Sequence, residues 1–170
     1  MEPTFTLAWS MPNRWTFEMA PVKAFLERWL VDCPVVVDPF SGKSVLGTIR
    51  NDLADGGVDA GEFCQRLLAT HAGKCDAVLF DPPYSPRQIS ECYKSIGRKA
   101  TTADTQNAAL YARVRKPLGE LLKPGGVALS FGWQSAGFGK LWATHEILLV
   151  RHGGAHNDTI CVAQRKPEVV

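Results

Sequence analysis

The 170-residue sequence predicts an α/β fold on a mostly parallel sheet, with an antiparallel strand pair towards its carboxyl end. Three observations carry that prediction. Short apolar runs at 35–38, 47–52, 77–80 and 127–131 are mostly separated by stretches of helical periodicity, as in a parallel sheet with crossover helices. Two later runs, 146–150 and 159–164, follow one another with only a glycine-rich loop between them. Residues able to do chemistry recur at the carboxyl ends of successive strands, at Asp38–Gly42, Asp52, Asp81–Tyr84 and 132–135. In an open α/β sheet those ends share one rim, the expected ligand crevice.

Bulk properties narrow the class. An apolar fraction of 45% and a charged fraction of 21% fit one soluble globular domain. A net charge of +2 permits a nucleic-acid partner without demanding one. The five cysteines (Cys33, Cys64, Cys75, Cys92, Cys161) are scattered, with no C-x-x-C pair. That suits reduced thiols in an intracellular protein better than a disulfide framework or a zinc site. No apolar run reaches membrane-spanning length and the first residues lack a signal-peptide pattern, so the expectation is a soluble, cytoplasmic protein without a membrane partner.

Residues 4–9 alternate well enough for a short strand or extended arm. From Pro21, Val22, Phe25, Leu26, Trp29 and Leu30 fall on one helical face, with the proline in the first turn. Val35–Val37 then forms a core strand reaching Asp38, and a second strand is expected over 47–52. Asp59 precedes a helix whose apolar face is Phe63, Leu67 and Leu68. After the strand 77–80, Ser85-Pro86 starts a helix to about Tyr93, and 95–104 reads as a mobile loop. A further helix runs from about Asn107 to Leu122, with a break expected at Pro117. Residues 123–126 form a turn into the strand 127–131. Between the last two strands lie His152 and His156, for which no third metal ligand is suitably spaced, so a structural loop is expected and no metal.

Two strand ends carry the chemistry. Asp38-Pro39-Phe40-Ser41-Gly42-Lys43-Ser44 leaves its strand as a glycine-bearing loop, where backbone approaches a nucleotide closely. Its Gly-Lys-Ser tail is not a phosphate-binding P-loop, because Val37 stands where that motif needs glycine. At the other, Pro82 and Pro83 stop the strand and stiffen a turn bearing the Asp81 carboxylate and the Tyr84 ring. A capping aspartate in an ordinary proline turn would use the same residues. An acceptor beside a flat aromatic surface also suits a planar heterocycle with an exocyclic amine, and the recurrence along the rim favours this chemical reading. The basic tract at about 85–117 holds Arg87, Lys94, Arg98, Lys99 and Arg113; it is either a solvated helical face or a phosphate-contacting clamp.

In its Asp-Pro-Pro-Tyr motif at 81–84 and Asp-Pro-Phe-Ser-Gly at 38–42, the chain resembles S-adenosylmethionine-dependent DNA amino-methyltransferases. It is most similar to short phage- and prophage-type adenine-N6-specific enzymes, which share stretches like Phe-Gly-Trp-Gln-Ser and Arg-His-Gly-Gly-Ala-His-Asn-Asp-Thr. The resemblance implies a Rossmann-like S-adenosylmethionine methyltransferase fold. It implies cofactor contacts from Thr16, Phe17, Asp38, Pro39, Phe40, Ser41, Gly42, Asn51, Asp52 and Asp59, with Asp52 at the ribose position and Asp59 at the adenine amine. Asp81, Pro82, Pro83 and Tyr84 would be catalytic, acting on an adenine flipped out of duplex DNA. Two departures stand out: Ser44 replaces the family's second glycine, and no separate target-recognition domain is expected, only the insertion at 85–117. Cytosine N4, an RNA base, or a non-catalytic cofactor- or DNA-binding subunit are the alternatives, with a homodimer or partner subunit left open.

Overall fold

The computed structural model describes residues 2–101, 105 and 107–168, the side chains of 107–110 excepted; residues 102–104 of the expected polar loop lie outside the described residues. In chain order come β1 (Thr4–Trp9), a 3-10 turn (Thr16–Glu18), α1 (Ala20–Leu30), β2 (Val36–Asp38), β3 (Ile49–Arg50) and α2 (Ala60–His71). Then follow β4 (Cys75–Phe80), α3 (Pro86–Ser95), α4 (Asn107–Leu121), β5 (Leu122–Gly132), β6 (Ala143–Arg151) and β7 (Thr159–Arg165). The seven strands among the described residues join one sheet in the order β1-β6-β7-β5-β4-β2-β3. β7 alone runs against its neighbours, inserted antiparallel between β5 and β6; every other pairing is parallel. The expected α/β architecture is therefore present, a Rossmann-like sheet with one reversed strand.

The sheet separates two apolar layers. On one face α1 lays Val22, Phe25 and Leu26 against Leu79, Leu129, Phe131 and Val150. On the other, α2 and α4 enclose Val37, Val78, Phe80 and Ala128 with Cys64, Val114, Leu118 and Leu121. Fully burying each such aliphatic or aromatic side chain is worth about 1.5–3 kcal/mol. β4 is buried at all six positions, which is why Ala77–Phe80 reads as a continuous apolar run rather than an alternating one.

Several boundaries differ from expectation, each for a local reason. β3 spans two residues rather than 47–52, because the Thr48 hydroxyl bonds to the backbone of Val36 in place of ladder bonds. On α2 the fully buried residues are Ala60, Gly61 and Cys64, with Phe63, Leu67 and Leu68 only partly buried. Small side chains there let α4 approach; a Cβ on Gly61 would lie 3.4 Å from that of Arg113. α4 continues through Pro117 without a break, held by Val114, Leu118 and Leu121 on its buried face. The expected turn at 123–126 is a bulge inside β5, since Cys75 pairs Leu122 and Ala77 already pairs Val127. Gly125, at φ 71°, makes that bulge possible.

His152 has a structural place. Its Nδ1 lies 2.9 Å from the Ser10 carbonyl and its Nε2 2.9 Å from the Thr159 hydroxyl, tying β1 to the β6–β7 loop. Among the described residues no helix is long and apolar enough to cross a membrane.

Candidate active site

Parallel pairing of β2 with β4 (Val37 beside Val78) brings Asp38 and Asp81 to the same rim. Asp38 is fully buried. Its Oδ1 accepts from the Phe40 N–H at 3.1 Å, while its Oδ2 has no partner among the described residues. Burial chiefly, with repulsion from Asp81 and Asp52, pushes its pKa up to about 7. Gly47 is required alongside, because a Cβ there would come within 2.7 Å of that of Asp38. An acceptor buried without a donor is costly unless a ligand satisfies it.

The Asp38–Gly42 loop is closed from behind by its own strand neighbour. Ser41 N–H donates to the Asn51 carbonyl at 3.0 Å, and Gly42 N–H to Asp52 Oδ2 at 2.9 Å. Asn51 fixes the following turn through Pro39, with its side-chain amide 3.3 Å from that carbonyl, and through Val58. Asp52 Oδ1 accepts from Ala54 N–H. Gly42 adopts φ 50°, and a Cβ on it would sit 2.8 Å from Cζ3 of Trp15. Trp15 thus lies over the loop, with the guanidinium of Arg14 4.6 Å and the ammonium of Lys43 5.4 Å from its ring centre.

At the end of β4, the Tyr84 hydroxyl donates to Asp81 Oδ1 and lies 3.4 Å from Thr16 Oγ1. Burial pushes Asp81 up to about 6, against the opposing pull of hydrogen bonds from Tyr84 and Thr16. Tyr84 is raised well above its ordinary value, first by burial and then by the adjacent carboxylate. The turn is fixed by Gln88, whose Oε1 accepts from Tyr84 N–H at 2.7 Å and Ser85 N–H at 3.1 Å, while Ser85 caps α3. That capping box was readable as Ser85-x-x-Gln88. Phe17 packs edge-on to Phe131 at 4.9 Å beneath the site.

Two of the predicted groups meet elsewhere. Asp59 caps α2, accepting from Gly61 and Glu62 N–H, and lies 3.4 Å from Arg113. Asp59, Arg98, Lys99 and Arg113 line one cavity of about 930 Å³ between the 53–58 loop and the end of α3. Arg87 pairs with Glu91 on the exposed face of α3, and Lys94 lies in the last turn of that helix. Trp15 was not among the residues expected at the site, whereas Trp133 falls within the expected 132–135 stretch, without an assigned role. Trp133 follows β5 and stands 5.7 Å from the Tyr84 ring, tilted by 47°. Its position on the rim was readable; its approach to Tyr84 depends on the β4–β5 register.

No protein-family model and no curated protein sequence matches the chain. Solved structures do share its fold. N-methyltransferase NodS from Bradyrhizobium japonicum WM9 aligns with TM-score 0.50 at 13% identity, over 86% of this chain and 94% of that one. TrmN from Thermus thermophilus aligns with TM-score 0.51 at 19% identity, over 87% of this chain and 49% of that one. The 1,6-didemethyltoxoflavin-N1-methyltransferase from Burkholderia thailandensis, solved with S-adenosylhomocysteine, aligns with TM-score 0.51 at 13% identity over 88% and 78%. The chain has the Rossmann-like fold of these methyltransferases.

Proposed function

We propose that the protein transfers a methyl group from S-adenosylmethionine to the exocyclic N6 amine of adenine in DNA. The observation that carries the reading is the pairing of a buried, half-satisfied Asp38 with the Asp81–Tyr84 turn on adjacent strand ends. The cofactor fits the first half: its ammonium is a cationic donor for the orphaned Asp38 Oδ2, and Asp52 and Asp59 suit its ribose and adenine. Bound there, S-adenosylmethionine supplies an electrophilic methyl group on a sulfonium.

The second half holds the amine. An adenine amine is a weak nucleophile because its lone pair is delocalised into the ring. Asp81 and the Pro82 carbonyl accept its two N–H bonds, which favours tetrahedral character at nitrogen and aims the lone pair. The Tyr84 hydroxyl, which donates to Asp81 in the free protein, occupies the place of one such N–H. It yields to the base and the ring turns to stack on it, which offsets part of the few kcal/mol needed to flip the base. The proton lost from nitrogen passes to Asp81, whose raised pKa of about 6 suits it to that task. Acceleration then rests on positioning and electrostatics.

The basic tract that follows the Asp81–Tyr84 turn, with Arg87, Lys94, Arg98 and Lys99, supports contacts to DNA phosphates near that base. Incubation with methyl-labelled S-adenosylmethionine and either duplex DNA or RNA, followed by nucleoside mass spectrometry, fixes carrier, base and atom together. N6-methyladenosine in DNA as the deoxynucleoside is expected; label on cytosine N4 or only in RNA would replace the substrate assignment.

A further inference from the structure

The edge of the sheet formed by β1 is unlike the rest of the surface. Phe5, Leu7 and Trp9 are 71, 64 and 65% exposed and lie on one face of the strand. Beneath them on that face are the half-buried Ile147 and Leu149 of β6, paired with Phe5 and Leu7. The other face carries Ala8, which packs into the α1 layer. From Pro3 to Asn13 there is no charged residue, in a chain with 19 basic and 17 acidic ones. The devices that normally blunt an edge, inward charges or a lysine or proline within the strand, are absent from Thr4–Trp9. The strand is nonetheless firmly placed, by six paired positions with β6 and by His152 holding the Ser10 carbonyl.

Hydrogen-bond direction decides what can bind there. Ser10 N–H donates inward to Arg151 O, so the even-numbered residues of this strand face β6 and the odd ones turn N–H and C=O outward. Among the described residues, the outward backbone groups of this edge therefore belong to Phe5, Leu7 and Trp9, the same residues whose side chains are exposed.

We propose that a second copy of this chain pairs with β1 antiparallel across a two-fold axis at Leu7, joining two sheets into one of fourteen strands. In that register Leu7 faces Leu7 of the second copy, and Phe5 faces its Trp9 twice over. All three are hydrogen-bonded pairs, and the aromatic pairs are of the kind that stabilise cross-strand contacts. The odd positions thus form a self-complementary set, as a two-fold interface requires, and no like charges meet. Phe5, Leu7 and Trp9 alone offer roughly 400 Å² of apolar surface per copy, about half of the roughly 800 Å² a stable partner buries. Met11, 67% exposed, and the face of β6 extend the same patch. This inference is independent of the proposed methyl transfer, since β1 lies at the sheet edge opposite β3.

Sedimentation and cysteine cross-linking test it. The unaltered chain is expected to sediment at twice the chain mass, and Leu7→Lys, which sets two ammonium groups across the axis, at the chain mass with an unchanged circular-dichroism spectrum. In a Cys92→Ser background, Leu7→Cys is expected to form an interchain disulfide on mild oxidation. Phe5→Cys mixed with Trp9→Cys should give the mixed disulfide in preference to either self-linked product. A monomer well above micromolar concentration would overturn the proposal, as would a dimer that Leu7→Cys fails to link.

Discussion

The two ends of the sheet treat buried acids in opposite ways. At the amino ends of the strands, Glu146 accepts from Arg28 at 2.6 Å and from the Trp29 indole at 2.8 Å. There too, Asp76 takes the Val35 N–H at 2.8 Å and an ion pair with Lys123, whose hydrogen bond holds its pKa below the ordinary value. At the carboxyl ends, among the described residues, Asp38 leaves an oxygen unpartnered, and Asp81 is held by the hydroxyl groups of Tyr84 and Thr16. Both are pushed up, mainly by burial. Buried carboxylates in one fold are thus fasteners at the amino ends and incompletely paired at the carboxyl ends. Acids neutralised internally stabilise; acids left partly unsatisfied mark where a ligand completes the structure.

Substitutions at the two ends should separate activity from stability. Asp81→Ala is expected to reduce methyl transfer by about 100-fold or more, the scale of losing a positioned electrostatic group, without lowering the melting temperature. Asp38→Asn should weaken cofactor binding by at least about tenfold in a calorimetric titration. At pH 8 it should also stabilise the free protein. Each folded pKa exceeds its unfolded value of about 3.8, so the native state holds more protons and stability is lost as pH rises towards 7. For Asp38 the full span amounts to ~4 kcal/mol, and denaturant melts of the free protein between pH 5 and 8 should show the decline, flattened in Asp38→Asn.

Glu146→Ala, by contrast, should cost about 1–3 kcal/mol of stability by stranding the Trp29 N–H and Arg28, with cofactor affinity unchanged. Equal effects of Glu146→Ala and Asp38→Asn on cofactor affinity would break the distinction between the ends. The smallest effect expected is at Tyr84→Phe, which retains stacking. Loss of the hydroxyl removes a hydrogen bond that lowers the pKa of Asp81, so the acid limb of the pH–rate profile should move above about 6. Activity should stay within about tenfold of the parent, because the ring that stacks is kept.

Much of this rim was legible in the sequence because its signals are local. A strand stopped by Pro82-Pro83, a glycine loop after Val35–Val37, and Ser85-x-x-Gln88 each report their own geometry within a few residues. The antiparallel pairing of β6 with β7 was legible; the full sheet order was not, since β1 pairing β6 and β7 inserting beside β5 depend on contacts between segments distant in sequence. The short β3 was missed because a Thr48 side chain stands in for ladder bonds, which no alternation pattern records. Trp15 over Gly42 escaped for the same kind of reason: twenty-seven residues separate a surface-looking tryptophan from the loop it covers.

The central claim is that Asp81, rather than buried acidity in general, acts on the amine. The most direct measurement compares label transferred from S-adenosylmethionine to adenine-containing duplex DNA by the unaltered chain, Asp76→Ala and Asp81→Ala, each at saturating cofactor. Transfer by the first two and none above background by the third is expected. Equal transfer by Asp81→Ala would contradict the account.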